Sequence, residues 1–110
     1  MIMKTALIEL KTIVNPCKPP FKKTIENVDV EVKAGQDFDS MEKVPGPIFK
    51  LIRCDSDSCI VQYSEKFTLK GHEHPGNKQV KVGKEPVSFT YLWGNDGITK
   101  KLSIKKIFGE

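Results

Sequence analysis

A stretch of alternating apolar and polar residues near the carboxyl end constrains the fold of this chain more than any other feature. It contains two alternating runs, 87–93 and 98–105, joined by an Asn-Asp-Gly turn. Side chains of a β-strand point to opposite faces in turn, so this period of two predicts a β-hairpin with one buried face. The buried face is expected to hold Val87, Phe89, Tyr91, Trp93, Leu102 and Ile104. The solvent face is expected to hold Ser88, Thr90, Lys101, Ser103 and Lys105, with Leu92 as its apolar exception.

Two pairings of this hairpin agree with the pattern. A two-residue turn at Asp96-Gly97 places Tyr91 opposite Leu102, whereas a four-residue loop from Gly94 to Gly97 places Phe89 opposite Leu102. Both pairings keep the same face buried, because each shifts the strands by an even number of residues.

Shorter runs of the same kind occur along the rest of the chain, with turn signals about every ten residues. The strands expected from them cover 5–14, 28–33, 48–54, 59–63, 67–69 and 80–82. The segment 36–47 is expected to be a loop with a single helical turn around Asp37 to Glu42, and Lys18 to Phe21 an extended connector, because proline lacks an N–H donor. The pattern predicts an all-β fold, a compact antiparallel β-sandwich or closed β-barrel of about eight short strands.

Length and composition agree with one such domain spanning residues 1–110. Hydrophobic residues make up 38% of the 110 residues, which is too apolar for a wholly disordered chain. No run approaches the roughly 18 apolar residues of a membrane-spanning helix, and the start Met1-Ile2-Met3-Lys4 lacks the pattern of a signal peptide. We therefore expect a cytoplasmic protein without membrane contact.

The formal net charge of +4 permits weak attraction to nucleic acid, but Arg53 is the single arginine among 18 basic residues. Base and phosphate recognition favour the guanidinium group, so nucleic acid is a disfavoured partner. Residues 26–42 carry a net charge of −5 and residues 98–108 a net charge of +4. These segments are either solvated strand faces or a dipolar surface that attracts a charged partner or a second copy.

The chain has three cysteines, and two of them, Cys54 and Cys59, flank a turn formed by Asp55 to Ser58. The apolar runs on either side predict a hairpin with these cysteines facing each other. Three states remain open: reduced thiols packed as small hydrophobic groups, a cross-strand disulfide, or a metal or redox site.

His72 and His74 lie in a Gly- and Pro-rich segment and could direct two imidazoles to one side. Together with Cys54 and Cys59 they would supply the nitrogen and sulfur ligands that zinc prefers. The spacing does not match an established zinc signature, and a solvated loop explains the same residues. Zinc is therefore an alternative and not the main expectation.

The aromatic residues nearest the hairpin turn provide the other candidate site. Tyr91 and Trp93 either fill the core or, where exposed, form a platform beside Asn95 and Asp96. An aromatic face next to amide and carboxylate groups suits a small carbohydrate or a peptide.

No nucleophile elbow or phosphate-binding glycine loop occurs in the sequence, so an enzyme is not expected. The main prediction is a non-enzymatic binding or protein-interaction module, with a protein partner or a second copy of the chain. Its predicted contact residues are Trp93, Asn95, Asp96, Lys101 and Lys105. The first alternative is a zinc-type domain using His72/His74 with Cys54/Cys59, and the second is a weak nucleic-acid binder acting through the lysines of the last strand.

Overall fold

The computed structural model describes residues 4–38, 48–64 and 77–109. These residues contain eight strands and no helix. The strands are β1 (Lys4–Asn15), β2 (Thr24–Lys33), β3 (Asp37–Phe38), β4 (Ile48–Cys54), β5 (Cys59–Ser64), β6 (Asn77–Val82), β7 (Val87–Trp93) and β8 (Asp96–Gly109). No helix in the described part of the chain is long and apolar enough to cross a membrane.

The strands form two four-stranded sheets. Sheet A has the order β2-β1-β8-β7 and sheet B the order β3-β4-β5-β6, and every strand pair is antiparallel. The predicted all-β fold is confirmed as a sandwich-like arrangement of two sheets, and it is not a closed barrel. β1 and β8 contain 12 and 14 residues, so the centre of sheet A is longer than the short strands that were expected.

The hydrophobic core lies between the two sheets. Sheet A contributes Ile8, Leu10 and Leu102, and sheet B contributes Leu51 and Val61, all fully buried. Aromatic rings connect the layers, because the Phe89 ring of β7 lies 5.4 Å from the Phe49 ring of β4 and 4.9 Å from the Tyr63 ring of β5, measured between centroids. Edge-to-face and tilted ring pairs at these distances stabilise a core beyond the burial of their area.

The hairpin of β7 and β8 turns earlier in the chain than either expected pairing. Trp93 pairs with Asp96 and Tyr91 with Ile98, so Gly94 and Asn95 form the turn and both predicted registers are wrong. Gly94 has a φ of 65°, as a type II′ turn requires at its first central position. The shift is again even, so each side chain keeps its predicted face, and Lys100 joins the buried one. Trp93, which was expected to be buried, is exposed at the end of this face.

Two predicted connections differ from the structure. The helical turn expected around Asp37 to Glu42 does not start at Asp37, because Asp37 and Phe38 form β3, where the buried Phe38 ring stacks on Phe49 at 5.6 Å. Residues 39–42 of that expected turn lie outside the described residues. The extended connector is also wrong: the Phe21 N–H donates to the Lys18 carbonyl at 2.9 Å and closes a turn. A β-turn needs a backbone N–H only at its fourth residue, so the two prolines do not prevent it. The strand expected at 67–69 lies outside the described residues.

Candidate functional site

A depression in the described part of the chain lies at one end of sheet A. There β1 leads into the connector 16–23, and β7 turns into β8 at 93–96. The backbone N–H of Cys17 donates to Asp96 Oδ1 at 3.0 Å, a bond between segments 79 residues apart. This bond holds the connector against the turn, and we call this end of the sheet the Trp93 end.

The connector and the turn enclose a groove of about 630 Å³. Pro16, Pro19 and Pro20 form much of the connector wall, together with Lys18 and Lys22. The opposite wall is formed by Trp93, Asn95 and Asp96. Prolines have a fixed φ, so this wall loses little conformational freedom when a ligand binds.

Trp93 is the largest side chain of the groove and remains 44% exposed. It is the last residue of β7, on the same face of the strand as the buried Phe89 and Tyr91. Tyr91, two residues earlier, is fully buried, and this burial raises the pKa of its hydroxyl to about 12. Of the two roles considered for the aromatic residues, Tyr91 therefore belongs to the core and Trp93 lines the groove.

Large apolar side chains remain exposed around the groove. Besides Trp93, they are Phe21, Ile25 and Leu92, which are 61%, 53% and 51% exposed. On the outer face of sheet A, Ile25 pairs with Ile13 of β1. Four of the six exposed large hydrophobic residues among those described thus lie at the Trp93 end, where exposed apolar surface typically marks an interaction site.

Phe21 adds a backbone feature to this surface. Its φ is 57°, in the left-handed region, which bulky side chains rarely occupy. The residue lies in the connector between the lining residues Pro20 and Lys22. A strained residue with an exposed aromatic ring is unusual for a purely structural position and is common at ligand-binding sites.

A second polar feature lies inside the sandwich near this end. Lys100 of β8 is only 3% exposed, and its Nζ donates to Thr12 Oγ1 of β1 at 3.1 Å. The two residues pair across the strands on the buried face. Lys100 was not predicted as a buried group, although its position in the period of two could have identified it.

The predicted contact residues separate into two groups. Trp93, Asn95 and Asp96 come together in the groove. Lys101 lies farther along the outer face of sheet A, opposite Lys11. Lys105 is also exposed, but its Nζ lies 3.2 Å from Asp29 Oδ2 of β2, so it forms an ion pair within the sheet. This pair also joins the acidic and basic segments of the sequence within one molecule.

The connector wall is the part of the site that the sequence pattern did not predict. The prolines and lysines of 16–22 were expected to be a plain extended link. The one available signal was the aspartate at the end of the hairpin turn, since Asp side chains frequently accept hydrogen bonds from backbone N–H groups.

Cys54 and Cys59 pair across β4 and β5 and form a disulfide. Of the three states considered for these two cysteines, the structure therefore contains the disulfide, and neither sulfur is a free thiolate. Cys17 is an exposed free thiol. His72 and His74 lie outside the described residues. Among the residues that are described, no group of three or more His, Cys, Asp or Glu side chains is arranged to hold a metal ion.

Comparison with protein-family models, with curated proteins and with solved structures finds no match to this chain, so the groove must be interpreted from its own residues.

Proposed function

We propose that this protein is a non-enzymatic binding module and that it holds a segment of a partner protein in the groove at the Trp93 end. The observation that carries the proposal is the groove itself. Its volume of about 630 Å³ lies within the range of about 300–1,000 Å³ that is typical of ligand sites, and a half-exposed tryptophan forms one wall.

The surroundings of the groove favour a protein over a small carbohydrate. Exposed apolar side chains at the same end of sheet A include Ile25 and Leu92 on the outer face of the sheet. A sugar could stack on Trp93 alone, but it would leave these residues uncovered. A protein segment buries both areas, and buried aromatic anchors carry a large share of the energy of protein interfaces.

A peptide selection tests this proposal and does not require the identity of the partner. A library of random peptides of about ten residues is displayed and selected for binding to the 110-residue protein. The enriched peptides are then measured against Trp93→Ala and against Phe108→Ala. Phe108 is an exposed aromatic residue at the opposite end of β8, so it provides the matched control.

We expect Trp93→Ala to weaken binding at least tenfold, because a tenfold change corresponds to about 1.4 kcal/mol, a typical loss for one aromatic anchor. Phe108→Ala should change the affinity by less than about twofold. Circular dichroism of both variants checks that they remain folded. Enrichment of peptides that bind Trp93→Ala as well as the parent protein would contradict the proposal.

The other functions expected from the sequence remain predictions. The described residues contain no cluster arranged to hold a metal ion, and the lysines of β8 are partly engaged within sheet A. Zinc binding, nucleic-acid binding, assembly with a second copy and a cytoplasmic location are each open to direct measurement.

A further inference from the structure

We infer that the partner segment is extended, acidic and partly apolar, with carboxylates that lie beside the lysines of the Trp93 end and apolar side chains that cover its exposed aromatic and aliphatic groups. This inference rests on the proposed function and names the chemistry of its ligand.

The charge of the groove is the first observation behind it. Two lysines, Lys18 and Lys22, line the groove, and Lys23 follows directly in the connector. Asp96 is the one acidic side chain in the lining, and its Oδ1 already accepts the backbone N–H of Cys17. The charge on the connector wall itself is positive, so this wall attracts an anionic ligand and repels a basic one.

The outer face of sheet A extends the same pattern. Ile13 and Ile25 pair there, and the next row on that face holds Lys11 opposite Lys101. Neighbouring side chains on one face of a strand lie about 7 Å apart. Along β1, the apolar row therefore lies between these two lysines and the start of the connector that carries Lys18, Lys22 and Lys23.

An apolar area with lysines on two sides fits a segment in which carboxylates and apolar side chains alternate. Such a segment satisfies charge and apolar burial together, whereas a nucleic acid would stack its bases on the aromatic rings and leave the aliphatic Ile25 and Leu92 exposed to water. Lysine also contacts phosphate as a point charge, without the paired hydrogen bonds that arginine supplies. An acidic protein segment is therefore favoured over a nucleic acid.

The selected peptides also test this inference. We expect Asp, Glu and large apolar residues to be enriched in them relative to the starting library. Binding is followed by the fluorescence of Trp93, the single tryptophan of the chain. The affinity is expected to fall about tenfold in Lys18→Glu/Lys22→Glu and to fall with added salt, because the contacts lie at an exposed rim.

A charge-matched variant provides the control. Lys81→Glu/Lys84→Glu makes the same change of net charge at exposed lysines that line a separate depression of about 400 Å³. We expect it to change the affinity by less than about twofold, since charges farther away than a Debye length of roughly 8 Å are screened at physiological salt. An equal loss in both double variants would show that net charge alone controls binding and would overturn the inference.

The outcomes also separate this inference from the proposed function. Selected peptides that depend on Trp93 but are neutral or basic would overturn the acidic ligand and leave the binding module standing. Peptides insensitive to Trp93→Ala would overturn both. If oligodeoxythymidylate displaces the peptides at a lower concentration than polyglutamate does, the groove is a nucleic-acid site. If the protein forms a salt-sensitive dimer and Lys18→Glu/Lys22→Glu abolishes it, the occupant is a second copy of the chain. Either result would refute the acidic partner.

Discussion

Reduction of the disulfide between Cys54 and Cys59 is expected to destabilise the protein modestly without unfolding sheet B. The two residues are separated by five positions in the sequence. For a loop this short, the loss of chain entropy in the unfolded state corresponds to about 2 kcal/mol at 25 °C. This figure is an upper value, because the turn between the two cysteines favours their approach even in the reduced chain.

The rest of sheet B explains why the fold should persist. β4 pairs with β5 from Ile48 to Cys54, and β5 pairs with β6 along its length, so the disulfide closes only one end of an extensive ladder. Cys59 is buried, and as a thiol it retains its packing as a small apolar group. The loss of stability on reduction should therefore come from the higher chain entropy of the unfolded state and not from a cavity in the folded protein.

The assay compares thermal unfolding of the oxidised and reduced forms in Cys17→Ser, a variant that lacks the exposed third thiol. Intact mass confirms the gain of two hydrogen atoms on reduction. A loss of about 2 kcal/mol lowers the midpoint of a domain of this size by roughly 8 °C. An unchanged midpoint would contradict the expected stabilisation by the disulfide. Complete unfolding on reduction would also contradict the expectation, because it would show that the strand pairing of sheet B depends on the covalent link.

Three further predictions concern single side chains. Gly94→Ala should lower the free energy of unfolding by about 1–2 kcal/mol, because an L-residue is strained at a φ of 65°. Gly83→Ala is the control: its added Cβ would lie 3.9 Å from the nearest atoms, so its free energy of unfolding should change by less than about 0.5 kcal/mol. Equal losses for the two variants in urea unfolding would contradict the assignment of the turn to Gly94. Thr12→Val removes one hydrogen-bond acceptor of Lys100 Nζ and should lower the free energy of unfolding by about 1–3 kcal/mol in the same assay. A neutral variant would show that this hydrogen bond does not contribute to stability. Burial raises the pKa of Tyr91 from 10.0 to about 12, so its contribution to stability is complete below pH 10 and lost as the pH rises through 12. Tyr91→Phe should flatten this alkaline loss of stability, and an unchanged pH profile would argue against the burial.

The strand pattern was predictable because the period of two is a local property of the sequence. It identified the faces of β7 and β8, and it placed β4 at 48–54 as observed. The register of the final hairpin was not predictable from local signals, because Asp96-Gly97 and Gly94-Asn95 both contain residues that favour turns. The candidate registers also keep the same face buried, so the hydrophobic pattern does not distinguish between them.

The candidate site was predictable only in part, for the same reason. Trp93, Asn95 and Asp96 are close in sequence, so their proximity in the groove could be expected. The other wall comes from a connector about 80 positions away, and only the antiparallel pairing of β1 with β8 brings it there. Lys105 was expected to face a partner, but its contact with Asp29 depends on the strand order, which the sequence does not reveal.

A residue-by-residue map of peptide contact on the isotope-labelled protein tests most directly whether the groove at the Trp93 end is the binding site. Backbone and indole N–H resonances are recorded by nuclear magnetic resonance as a selected peptide is added. If the peptide binds in the groove, the largest shifts are expected in 16–22 and 92–96, including the indole N–H of Trp93. Shifts centred on sheet B, with the Trp93 indole unmoved, would contradict the claim that the groove at the Trp93 end is the binding site.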